Sequence, residues 1–390
     1  MTEGSQPVAG EQASGAPLVS RAALLRGVRQ KVDIVGIDVE QPRRGEVLVR
    51  MGATGVCQSD LSIYEGRLPN PLPMVLGHEG AGSVVAVGDG VTSVSPGDHV
   101  VLSWLAQCGH CYYCLAGQPS VCETANDAML RGTLLDGTTR YSLDGSTVYH
   151  MAGLGTFSEL CVVPEGAAVK VPQEIGFAQA ALLGCSVLTG FGAAVNTGGV
   201  RPGESVAVIG CGGVGLNAVQ GAKLSGASEI VAVDLHPERL ELARQLGATY
   251  AVTPHDMLVK QIRGLTQGRG VDVAIEAAGR QESIRDALRM TRKGGRIVLV
   301  GAGPEEVRLN VSAFNGIVLT EKVIRGSFYG SSWAARDVER LTKLYASNQL
   351  KLAELVSQTF AFEELNDALS YCADERGARA VILFEDGGAA

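Results

Sequence analysis

The sequence predicts an α/β protein in two parts, a β-rich part and a doubly wound domain built on a parallel sheet. Three observations carry this. From about residue 188 to 330, short apolar runs of strand length alternate with stretches of helical period, the pattern of βαβ units. Between Gly45 and His99, apolar runs separated by glycines read as strands with few helices. A glycine-rich turn at Gly210–Gly215 stands where one apolar run ends and a helical pattern begins.

Taken in order, residues 1–18 are polar and small and read as a flexible tail; they lack the basic start and apolar stretch of a signal peptide. "EVLVRMGATGVC", "GAGSVVAVG" and "HVVLSWL" are strands, and Pro96-Gly97-Asp98 is the turn before the last. A cysteine-dense loop spans Cys108–Cys122. Residues 123–155 are rich in Gly, Thr, Ser and Asp and are expected to form a long loop with a hairpin. "SVAVIG" opens the second pattern, and "VGLNAVQGAKLSG" follows as a helix. "EIVAVD" is the next strand. "PERLELARQLG" has Pro237 at its start and Gly247 at its stop, as a helix should. "TYAVT", "VDVAIEAAG", "GRIVLVG" and "KVIRGSFYG" supply further strands. The end of the chain reads as two helices and a closing strand, "RAVILFED".

Composition narrows the function classes. Nearly half of the 390 residues are hydrophobic, enough for a sizeable core, and no run of about 18 apolar residues marks a membrane span. The net charge of −8, with basic residues scattered, argues against a nucleic-acid partner. Nine cysteines without a secretory signal disfavour a disulfide framework and fit a reduced, cytoplasmic setting.

Gly210, Gly212 and Gly215 form G-x-G-x-x-G directly after a strand, with Gly213 and Val214 inside the motif. The first glycine permits a tight turn, the second lets a pyrophosphate approach the backbone, and the third allows close helix–strand packing. The following helix offers free N–H groups to phosphates. Asp234 ends the next strand, nineteen residues past Gly215. An acid there accepts hydrogen bonds from ribose hydroxyls and repels a 2′-phosphate, so NAD is expected over NADP.

Cys108, Cys111, Cys114 and Cys122 have the spacing C-x2-C-x2-C-x7-C. Four thiolates complete a tetrahedral Zn²⁺ and leave no open position, so this site is expected to be structural. An iron–sulfur cluster or a redox loop is the alternative; no other feature of the chain calls for either.

"GVCQSD", "GHEGAG", the four-cysteine loop, "GCSVLTG" and "GCGGVG" follow one another in the order found in zinc-dependent medium-chain alcohol dehydrogenases. The chain resembles that family over almost everything after residue 20. "RGTLLDGTTRYSLDG…GTFSELCVV" is similar to the longer dimeric branches, class I and class III among them. The resemblance implies a GroES-like catalytic domain over 19–187, completed by 331–390, around a Rossmann NAD-binding domain over 188–330. It implies two Zn²⁺ per chain, NAD, an alcohol or aldehyde substrate and a homodimer.

It also implies roles. Cys57, His78 and Cys185 become ligands of a catalytic zinc with a fourth position left for water or substrate oxygen. Glu79 and Asp60 match outer positions, Asp60 orienting His78. Ser59 matches the hydroxyl that opens a proton relay; helix capping is its other reading. Thr189 and Val214 match positions packed on the nicotinamide, Arg239 one near the adenosine ribose, and Arg379 one on the pyrophosphate. Trp104 and Tyr141 match substrate-lining aromatics, which suits a flat primary alcohol; for Trp104 a plain core role is the alternative.

Three departures stand out. Gln58 replaces the Arg or His that often touches the pyrophosphate. Ser62 stands where many members have the His that passes the proton to water, and serine is a poor base. Leu68 and Asn70 fall where class III members place the acids that recognise a glutathione adduct of formaldehyde. The expected reaction is hydride transfer between a primary alcohol and NAD. A thiol-adduct formaldehyde dehydrogenase, or a non-enzymatic binding protein on the same scaffold, is the alternative.

Overall fold

A computed structural model describes residues 16–375 and 377–385. Most of the expected tail lies outside the described residues, but Leu18 already begins a strand. The first part of the chain builds two β structures. Strands Leu18–Leu25, Asp33–Val39, Tyr141–Leu143, Ser146–His150 and Met74–Val75 close a small barrel. Beside it lies a sheet centred on Glu46–Val56. That strand is buried at every position but one, as the middle of a covered sheet requires. It pairs antiparallel with Glu79–Val87, Leu160–Pro164 and Arg379–Leu383. Two register shifts against Glu79–Val87 let it serve several neighbours. The strand Arg379–Leu383 brings the chain's end back to the first part.

The second part is a six-stranded sheet in the order Tyr250–Val252, Glu229–Val233, Ser205–Ile209, Val271–Glu276, Thr291–Leu299, Val323–Gly326. Every neighbouring pair is parallel. The chain winds outward from Ser205–Ile209 in one direction and then in the other, so the order reverses beside that strand. A crevice opens at the carboxyl ends of the strands at such a reversal, and Gly210 follows Ile209 directly.

An apolar helical run, Phe177–Thr197, packs between the two parts. It is long and apolar enough to cross a membrane, yet 78% of its apolar window is buried within the protein, as in a core helix. The expected boundary at 187/188 falls inside this run, which is π-helical over Leu183–Val187 and again over Ala193–Thr197. Its Gly190 seats it on the helix Gly213–Leu224, because a Cβ there would collide with the Val214 carbonyl.

Residues 123–155 differ from the expected long loop. Glu123–Arg131 is a helix that buries Ala125 and Ala128 and ends at Gly132 in the left-handed conformation. The expected hairpin follows as Tyr141–Leu143 and Ser146–His150. The run of polar residues hid the helix, whose apolar face is only one or two alanines wide.

Candidate active site

The strand Glu46–Val56 delivers Cys57 to the head of the helix Gln58–Tyr64. The cap of that helix is Asp60: its Oδ2 accepts the Cys57 N–H at 2.8 Å and its Oδ1 accepts the Gly77 N–H at 3.0 Å. The fully buried Asp60 therefore ties the Cys57 turn to the Gly77–His78 turn. Its Oδ1 also lies 3.4 Å from His78 Nδ1, which leaves Nε2 for a metal. Cys185 comes from the π-helical turn Leu183–Val187; such turns occur often at functional sites.

Cys57, His78, Glu79 and Cys185 are all buried, and one ligand atom from each lies within 4.8 Å of the others. Glu79 was expected in an outer position; its carboxylate lies within reach of the same ligand atoms. Both its oxygens lack a hydrogen-bond partner among the described residues, and Arg379 Nη2 lies 3.1 Å away. Burial pushes the Glu79 carboxyl up to about 7. The Cys57 thiol is held well below its ordinary range, first by a hydrogen bond from Cys185 and further by the charge of Arg379 and contacts with His78. Two sulfurs, an imidazole nitrogen and a carboxylate, all buried and converging, fit a zinc ion. All nine cysteines are free thiols.

Cys108, Cys111, Cys114 and Cys122 form the second convergent set, again within 4.8 Å. The lobe bears only short helical turns, Tyr112–Leu115 and Pro119–Val121. Three of its four sulfurs belong to half-buried residues. Four thiols fit a closed zinc site that stands in for a core.

A cleft of about 620 Å³ runs from Cys57 and Gln58 past Gly210–Gly215 to Asp234, His236 and Arg239. Gly210 has φ +90°, a Cβ on Gly215 would strike the Gly210 carbonyl, and a Cβ on Gly212 would meet only open space. Tight turn, close packing and open backbone thus fall on the glycines expected to supply them. Asp234 lines the cleft with its carboxylate ordered by the N–H groups of Cys211 at 2.6 Å and His236 at 2.9 Å. These residues fit a dinucleotide, with Asp234 at its ribose.

The other expected residues divide. Val214 lines the cleft and Thr189 lies half-buried on the facing helix. Arg379 stands against Gly213, where a Cβ would sit 2.8 Å from Nη2, so it faces both Glu79 and the fingerprint. Arg239 lines the cleft, but its guanidinium donates to the carbonyls of Gly377, at 2.8 Å, and Glu375. Gln58 is exposed in the cleft. Ser59 Oγ lies 3.9 Å from Cys57 Sγ. Ser62 is buried and donates to the Gln58 carbonyl at 2.9 Å, so its hydroxyl is committed to the helix. Trp104 packs edge-on against Tyr329 and Phe328, with ring centroids 4.5 and 5.2 Å away.

Tyr141, expected among the substrate-lining aromatics, lies in the barrel. It is 1% exposed, stacks on His150 at 3.9 Å and donates its hydroxyl to the Leu160 carbonyl at 3.0 Å. It belongs to the barrel core. The place of Tyr329 was missed altogether, because its contacts, with Ser103 and Gly184, are distant in sequence.

Fold and site together define an oxidoreductase that uses zinc and NAD. Residues 43–173 match the alcohol dehydrogenase GroES-like domain family and residues 213–347 the zinc-binding dehydrogenase family. A Synechocystis protein named S-(hydroxymethyl)glutathione dehydrogenase is 39% identical over 369 residues, 94% of this chain and 100% of its own length. The Haemophilus influenzae protein of that name is 38% identical, over 94% of this chain and 97% of its own. Benzyl alcohol dehydrogenase from Acinetobacter calcoaceticus superposes with a TM-score of 0.89 at 32% identity, over 94% of this chain and 99% of its own. The chain belongs to the zinc-dependent medium-chain alcohol dehydrogenase family.

Proposed function

We propose that this enzyme passes hydride between a primary alcohol, aromatic or allylic by preference, and NAD, giving the aldehyde or running in reverse. The observation that carries the preference is the pair Trp104 and Phe328, backed by the buried ring of Tyr329, beside the helix that bears Cys185. A flat ring stacks or packs edge-on there without losing rotamer freedom. The similarity to a benzyl alcohol dehydrogenase points the same way.

Cys57, His78 and Cys185 would hold one zinc, with Glu79 in reach, and Cys108, Cys111, Cys114 and Cys122 the other. Bound zinc supplies Lewis acidity towards an alcohol oxygen, and NAD supplies the hydride acceptor. Asp60 fixes the His78 ring and the Cys57 turn. Ser59 takes the proton from the substrate hydroxyl and passes it towards the cleft. With Ser62 committed to the Gln58 carbonyl, the proton leaves through solvent. Asp234 orders the ribose end of the cofactor.

A second reading, oxidation of an S-hydroxymethyl thiol adduct, is favoured by the names of the 38–39% identical relatives. Leu68 and Asn70, in place of acids, weigh against glutathione as the thiol. We further propose a cytoplasmic homodimer acting on small molecules, without nucleic acid or membrane. Support for the dimer is the edge strand Val323–Gly326 of the parallel sheet, near which Phe314, Val318, Leu319 and Val323 are exposed; such an edge invites pairing. The test follows NADH absorbance with benzyl, cinnamyl and straight-chain alcohols, and with formaldehyde plus glutathione. A kcat/KM for the aromatic alcohols about tenfold above the aliphatic ones is expected. A higher value for formaldehyde plus thiol than for any plain alcohol would overturn the first reading in favour of the second.

A further inference from the structure

The parallel sheet ends at Val323–Gly326, and the chain re-enters the first part through Ser327–Ser332. Three successive residues of this crossing have left-handed backbone: Tyr329 at φ 53°, Gly330 at 66° and Ser331 at 50°. Tyrosine and serine rarely adopt it, so the surroundings must hold it in place. They do. A Cβ on Gly330 would strike the Leu188 carbonyl, and one on Gly192 the Gly330 carbonyl. Asn196 donates to Gly330 O at 3.1 Å, and Thr197 Oγ1 lies 2.8 Å from the Oγ of both Ser327 and Ser331.

The turn so fixed drives one side chain inward. Tyr329 is 1% exposed, and its hydroxyl donates to the Gly184 carbonyl at 2.7 Å while standing 2.9 Å from Ser103 Oγ. Gly184 precedes Cys185 within the π-helical turn, and Ser103 precedes Trp104. In that turn the Leu188 N–H bonds to Cys185 O. The Tyr329 hydroxyl therefore satisfies a carbonyl at the point where helical bonding changes register. Its ring lies edge-on to Trp104.

We infer that Tyr329 is a positioning residue for the metal centre. It sets the register of the turn that presents Cys185 and, through its ring and Ser103, the place of Trp104. The exit turn of the cofactor-binding sheet is thereby linked to both a zinc ligand and the substrate wall. The inference rests on Cys185 as a zinc ligand.

The test uses the full chain with Co²⁺ exchanged for zinc, and the variants Tyr329→Phe and Ser103→Ala. Tyr329→Phe keeps the ring and removes only the hydroxyl. A shifted visible cobalt band is expected, with release of one metal per chain to a chelator about tenfold faster than in the parent. Ser103→Ala should move both readouts the same way by less. Band and release rate unchanged in a folded Tyr329→Phe protein would overturn the inference. Should Tyr329→Phe fail to fold, an unchanged band in Ser103→Ala would do the same. A full metal count in Cys185→Ala would instead overturn the ligand assignment beneath it.

Discussion

The two sulfur clusters are assembled in opposite ways. The four-cysteine lobe takes all its ligands from residues 108–122, on short turns with no core of their own. The buried cluster takes Cys57 from the end of one strand, His78 and Glu79 from the start of another, and Cys185 from a π-helical turn. The first needs only a loop, and a metal there would add order to a segment whose four cysteines pack against the core. The second needs both parts of the fold in register before its ligands meet. We therefore propose that the local cluster serves stability and the dispersed one, which needs the complete fold, serves chemistry.

Removing one thiol from each tests that contrast most severely. Cys57→Ala should cut turnover by about three orders of magnitude, since loss of metal assistance costs several kcal/mol of the barrier. One metal per chain should remain, with thermal stability nearly kept. Cys122→Ser should also leave one metal, but lower the melting temperature sharply, because a structural zinc contributes directly to folding. Metal counting with thermal unfolding separates them, and equal loss of stability in both variants would erase the contrast.

A smaller effect is expected at Asp60, which touches no metal ligand atom yet joins the Cys57 and Gly77–His78 turns. Outer partners of this kind are worth about 10–100-fold in metal affinity or activity. Asp60→Asn should weaken the buried site by that amount and leave the four-cysteine site unchanged. Competition with a chromophoric chelator gives both constants, and equal weakening of the two would show a general loss of stability instead.

How much of this was legible follows the same division. The four-cysteine spacing, the fingerprint glycines and Asp234 depend on neighbours in sequence, and spacing alone assigned their roles. The alternation of strand and helix pointed to the parallel sheet because the same strand-then-helix pattern recurs from Ser205 to Leu299. Cys57, His78 and Cys185 became legible only through resemblance, because nothing local distinguishes a buried thiol that binds metal from one that only packs. Glu79 and Tyr329 gave still less signal. Glu79 stands beside the expected ligands because the His78 turn feeds directly into the strand Glu79–Val87. Tyr329 meets Gly184, Ser103 and Trp104 only in the folded chain, Gly184 and Ser103 lying 145 and 226 residues away.

Tyr141 and its stacking partner His150 supply the mildest test, because Tyr141 was expected at the substrate wall and lies in the barrel. Both sit in the barrel, far in role from either cluster. Burial pushes His150 down to about 3. Its Nε2 accepts the Arg140 N–H at 3.0 Å, and Nδ1 lies 3.3 Å from the Leu154 carbonyl. With the folded value below the unfolded value of about 6.5, the neutral ring stabilises the fold above that pH. The contribution drains away as pH falls towards 3. His150→Gln should therefore be less stable at pH 7 and lose less stability on acidification, as urea melts across that range would record. Tyr141→Phe removes one buried hydrogen bond, worth about 1 kcal/mol, while the Leu160 carbonyl keeps the Ser158 hydroxyl at 3.0 Å. Its relative kcat/KM for benzylic and aliphatic alcohols should stay at the parent value. A changed ratio would return Tyr141 to the substrate wall, and stability reduced with the ratio intact would keep it in the barrel core.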